Sequence, residues 1–68
     1  MTDAYTISLA REYLDTIRQI ENGQFGSRQQ LHELESNRSV LHDQLQRAIG
    51  RRIKKDDMPD YARKLVRG

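Results

Sequence analysis

The stretch DAYTISLAREYLDTIRQIEN, residues 3–22, decides the fold class. It holds no proline or glycine, and its apolar side chains fall at Tyr5, Ile7, Leu9, Ala10, Tyr13, Leu14, Ile17 and Ile20. Wound into a helix, these positions cover an arc of roughly 200°. One neighbouring helix needs a stripe only a little over about 100° wide. The spare apolar surface therefore calls for a second packing partner, and a second copy of the chain is the expected one. Asp3 is placed to cap the first turn, where its carboxylate also complements the positive end of the helix dipole.

Asn22-Gly23 supplies residues that tolerate left-handed backbone, and Gln24-Phe25-Gly26 carries no helical pattern, so the first helix ends here. Phe25, the sole phenylalanine, is expected to fold back over the helix ends. Ser27-Arg28-Gln29-Gln30 has the spacing of a capping box and starts a second helix. That helix sets Leu31, Leu34, Leu41, Leu45 and Ala48 at steps of three, four or seven, a stripe only about 100° wide, as at a coiled-coil seam. Arg38, with Asn37 beside it, stands where another apolar residue would fill the seam. A polar residue there can fix register or oligomeric state; the plainer reading is an alkyl stem laid over the core edge with its charge in water.

The second helix can run to about Ile49, with Gly50 weakening it. Arg47 to Lys55 then holds five basic residues and no acidic one. Asp57 as a cap, Pro59 in the first turn and Asp60 mark a short third helix with Tyr61, Leu65 and Val66 on its apolar face. About ten residues are too few to be helical alone in water, so this element must dock or fray.

The fold class predicted is all-α: a helical hairpin with a short third C-terminal helix, pairing as a homodimeric bundle. It forms one domain over 1–68, with helices at about 3–22, 27–49 and 57–67, a turn at 23–26 and a basic segment at 50–56. A chain of 68 residues builds only a thin core, and without cysteine it has neither disulfides nor thiolate-bound zinc to reinforce it. Leu14, Ile17, Leu34, Leu41 and Leu45 are the expected centre of the dimer.

A formal net charge of +2 conceals an asymmetry. Residues 1–46 carry four basic and seven acidic groups, and residues 47–68 carry eight basic and three acidic. Different partners or surroundings are expected for the two ends. No apolar run approaches the roughly 20 residues that span a bilayer, and MTDAYTISLA lacks the basic-then-apolar pattern of a signal peptide. With cysteine absent, a cytoplasmic setting is the expectation.

Catalytic groupings are not legible: there is no phosphate-binding glycine loop, no cysteine nucleophile and no histidine pair at metal-ligand spacing. His32 and His42 lie about 15 Å apart along a helix and nearly a quarter-turn round, so surface histidine is the reading and no metal or cofactor is expected. The acidic residues are spread along the helices rather than paired, and Asp43 to Arg47 is a favourable pair four residues apart. A non-enzymatic binding protein is what these absences leave.

Arg38, Arg47, Arg51, Arg52, Lys54, Lys55 and Tyr61 are the candidate contact residues. The cations can meet an acidic protein surface; the alternative is a small basic helical dimer binding DNA or RNA through residues 47–55. No helix-turn-helix spacing supports the latter, and Asp56, Asp57 and Asp60 sit beside the basic run. Ile49 and Ile53 alone are too few apolar residues for an interfacial membrane helix.

The layout ISLAREYLDTIRQI, then NGQFGS, then LHELESNRSVLHDQL resembles two kinds of small helical protein. One is the helical-hairpin RNA-binding repressor of plasmid primer. The other, preferred here, is the class of phage-encoded host-takeover proteins that includes the quorum-sensing anti-activators. The second resemblance implies a homodimer in the host cytoplasm that acts stoichiometrically, without catalytic residues, to inhibit or sequester a larger protein such as a transcriptional activator.

Overall fold

A computed structural model describes residues 3–68. Three α-helices make up the regular structure of these residues: α1 (Ala4–Glu21), α2 (Arg28–Ile49) and α3 (Met58–Arg67). Each boundary has a local chemical cause. At the start of α1, an Asp3 carboxylate oxygen accepts from the Thr6 backbone N–H at 2.8 Å, which satisfies one of the donors left free at a helix N-terminus. At its end Gly23 takes a left-handed φ of 65°, and the Gln24 N–H donates back to the Gln19 carbonyl at 2.8 Å.

Ser27 caps α2 by accepting from the Gln30 N–H at 3.3 Å. The Gln30 amide oxygen reaches back as the capping-box pattern implies, but it accepts from the Gly26 N–H, one residue before the cap. Gly50 does more than weaken α2: with φ 87° it terminates the helix after Ile49, and the Arg51 N–H returns to the Gln46 carbonyl at 3.2 Å. The start of α3 departs from expectation. Asp57 occupies the cap position, yet its backbone is already helical and its side chain makes no capping bond. Pro59 and Asp60 favour the first turn instead, through a preset φ and a negative charge at the positive helix end.

The core is built around α1. Its Leu9, Ala10, Tyr13 and Ile17 are buried with Leu41 and Leu45 of α2, Ile53 of the connector, and Met58 and Ala62 of α3. Both other helices pack on α1. The wide apolar arc thus finds a second packing partner in α3 of the same chain, while Tyr5 stays 63% exposed and Ile7, Leu14 and Ile20 half-buried. Leu14 lines a shallow cleft together with Val66 of α3. Docking resolves the choice between packing and fraying for α3, and Met58 and Ala62 enter the core beside the expected face of Tyr61, Leu65 and Val66.

Two threonines are buried in α1. The Thr16 hydroxyl donates to the Glu12 carbonyl at 2.9 Å, so its burial leaves the donor paired. Toward the hairpin turn the core runs out. Ile20, Phe25, Leu31 and Leu34 are half-buried and stand outside the buried cluster. The body measures 39 × 20 × 19 Å, an elongated three-helix unit. No helix of the described residues is long and apolar enough to cross a membrane.

Candidate binding surface

The segment between α2 and α3, residues 50–57, is held in place although it is dense in charge. Ile53 inserts into the core and is 7% exposed, and its N–H donates to the Gln46 side-chain oxygen at 3.0 Å. The Asp57 and Met58 N–H groups both reach the Lys54 carbonyl at 3.0 Å, closing the turn into α3. Arg51, Arg52, Lys54 and Lys55 are exposed around this anchored residue. An apolar side chain pulled inward and a polar glutamine bond thus fix the backbone from which the cations project.

The candidate contact residues fall into separate groups. Arg47 pairs with Asp43 at 3.0 Å on an exposed face of α2, as the four-residue spacing anticipates, and such exposed pairs contribute little to stability. The Arg51 guanidinium lies 5.2 Å from the centroid of the Tyr61 ring, a cation–π contact that joins the connector to α3. Arg52 and Lys54 have no carboxylate partner among the described residues.

Arg38 and Lys55 are brought to one place. Both line a cleft of about 500 Å³ together with Tyr13, His32, Glu35, Ser36, Ser39 and His42. Both also line an adjoining cleft with Tyr13, Ile17, Ile20, Glu21, Asp56 and Pro59. Tyr13, only 1% exposed, is the floor common to the two. Burial pushes its phenol above the ordinary tyrosine pKa, and the nearby positive charge of Arg38 opposes that rise. The His42 ring sits 6.3 Å from that of Tyr13 at a tilt of 53°, and its Nδ1 is buried without a hydrogen-bond partner.

His32 and His42, read from the sequence as separate surface residues, thus share one cleft wall. The signal for this wall was the polar stripe His32, Glu35, Ser36, Ser39 and His42, which recurs at helical steps. The apolar seam of the same helix, Leu31, Leu34, Leu41 and Leu45, is the stronger pattern and masks it. Arg38, the break in that seam, is half-buried at the cleft edge, in keeping with a stem over the core and a charge toward water.

Of the expected dimer centre, Ile17, Leu41 and Leu45 lie in the chain's own core, whereas Leu14 and Leu34 are half-buried. No protein-family model, no curated protein and no solved structure matches this chain.

Proposed function

We propose that this chain is a small non-enzymatic regulatory protein that binds, and inhibits or sequesters, a larger protein by presenting its basic connector to an acidic surface. The observation carrying this reading is the anchoring of residues 50–57. Burial of Ile53 and its bond to Gln46 hold Arg52, Lys54 and Lys55 exposed on a fixed backbone. A preorganised charged loop loses less conformational entropy on association than a flexible tail of the same composition. A transcriptional activator is the target suggested by the resemblance of the layout to anti-activators, and the cytoplasm is where such a target would be met.

Nucleic acid is the competing partner for the same cations. Arg47 is already paired with Asp43, Arg51 is engaged with Tyr61, and Asp56 and Asp57 are exposed next to the remaining cations. This interrupted pattern favours a protein surface over a phosphate backbone. Homodimer formation is a separate part of the proposal. It is supported by the half-buried Leu14, Leu31 and Leu34 and by Val40, which is 52% exposed.

The test is affinity capture with the native chain and with an Arg52→Glu/Lys54→Glu variant, beside DNA and RNA shift assays at two salt concentrations. A stoichiometric partner retained by the native chain and lost by the variant is the expected result. Salt-sensitive retardation of nucleic acid, lost in the same variant and without a protein partner, replaces the reading with nucleic-acid binding.

A further inference from the structure

The cleft floored by Tyr13 has a ligand chemistry of its own. Arg38 and Lys55 bring two cations to it, and neither is within ion-pair distance of a carboxylate among the described residues. Ser36 and Ser39 add hydroxyls from α2, and the His42 ring completes the same wall, its Nδ1 turned out of solvent reach. The Tyr13 hydroxyl forms no protein hydrogen bond among the described residues. Polar groups gathered in a concavity without partners are satisfied by water or by a ligand. A guanidinium and an ammonium together match the several oxygens and double charge of a phosphate better than a single carboxylate.

Glu35 lies on the same wall and restricts the choice. Its carboxylate repels a second anion but accepts hydrogen bonds from ligand hydroxyls, the use acidic residues serve toward ribose in nucleotide sites. A volume of about 500 Å³ exceeds what bare phosphate requires and falls in the range of small-molecule pockets. The adjoining cleft sets Glu21 and Asp56 beside the same two cations, which makes it the poorer place for an anion.

We infer that the Tyr13 cleft binds a phosphorylated sugar, with its phosphate held by Arg38 and Lys55 and a sugar hydroxyl accepted by Glu35. The inference stands apart from the macromolecular partner, since the site can be titrated in the protein alone. The measurement is an NMR titration at constant ionic strength with ribose 5-phosphate, adenosine monophosphate, inorganic phosphate and ribose. Saturable shifts of Tyr13, Ser36, Ser39 and His42 with ribose 5-phosphate, at about millimolar affinity, and none with ribose are expected. Arg38→Gln and Lys55→Gln should each weaken binding about tenfold. Glu35→Gln should weaken ribose 5-phosphate relative to inorganic phosphate, which loses a repelling charge and binds no more weakly, and Lys64→Gln, exposed on α3 and outside the cleft, should leave ribose 5-phosphate binding unchanged.

Tighter adenosine monophosphate than ribose 5-phosphate identifies a nucleotide as the source of the sugar phosphate, and the reverse order identifies a free sugar phosphate; either supports the site. Circular dichroism checks that Arg38→Gln folds, and Lys55→Gln, on the exposed connector, carries the test if it does not. No saturable shift by about 10 mM overturns the inference. So does equal weakening by Lys64→Gln, which would mark general charge attraction.

Discussion

Tyr13 carries two roles that pull in opposite directions: it fills the centre of the core and floors a polar cleft. Its ring is among the largest fully buried side chains, so the neutral phenol is favoured by desolvation. A folded-state pKa raised above 10.0 means that the folded chain holds its proton more tightly than the unfolded one. The associated stability is complete below the unfolded value and falls as pH rises through the folded one. Tyr13→Phe should therefore remove part of the alkaline loss of stability, read as urea midpoints for both chains on either side of pH 10.0; parallel midpoint curves would assign the loss to other groups. Leu45 gives a simpler case. It is completely buried between helices, and Leu45→Ala should cost about 2–5 kcal/mol through lost burial and an unfilled cavity, measured by denaturant unfolding. A cost below that range would mean that the core relaxes around the deletion.

At the scale of elements, the connector and α3 are the parts whose behaviour is least obvious from composition. A run rich in arginine and lysine is ordinarily solvated, but here one isoleucine and one glutamine tether it. Gln46→Ala removes the acceptor for the part-buried Ile53 N–H, at a cost of about 1–3 kcal/mol for the unpaired donor. Amide hydrogen exchange across residues 51–57 should speed up in this variant while the centre of α1 changes less. Uniform acceleration would show that the connector unfolds only with the whole domain. For α3, removal of residues 58–68 strips the cover from the second face of α1. The truncated chain should lose more helicity than ten residues account for, or self-associate through the exposed face; circular dichroism with light scattering reads both. A truncated chain that stays monomeric with α1 and α2 intact would show that α3 is dispensable to the hairpin.

On the scale of the whole molecule, one helix serves as the shared centre, and the consequences for assembly differ from those of a plain hairpin. A two-helix unit would leave one face of α1 open, but this chain packs its own C-terminal helix there. The apolar side chains left accessible to a second copy include Tyr5, Leu31, Leu34 and Val40, whereas Leu41 and Leu45 are buried within the chain. The proposed dimer should accordingly be weak and concentration-dependent, and Val40→Glu should shift it toward monomer in light scattering without lowering thermal stability. Dimers unaffected by Val40→Glu would place the interface elsewhere. The charge asymmetry also takes a definite form: the excess of cations lies on and after the connector, at one end of the chain and around an anchored loop.

The local features of this protein were legible in its residues, and the reasons are local. Proline-free segments with helical apolar spacing, the Asp3 and Ser27 caps, and the left-handed glycines at 23 and 50 act through neighbours a few residues away. These interactions make three helices with nearly the expected boundaries. The width of the apolar arc on α1 likewise told that two partners were needed. Which two was a tertiary matter, because a sequence pattern records how much surface must be covered and not what covers it. Ile53, hidden among charges, and Met58, set before a proline, joined the core only once α3 folded back on α1. The meeting of Arg38 with Lys55 over Tyr13 has the same origin. Seventeen positions separate the two cations, and only the return of the connector along the hairpin brings them to one cleft.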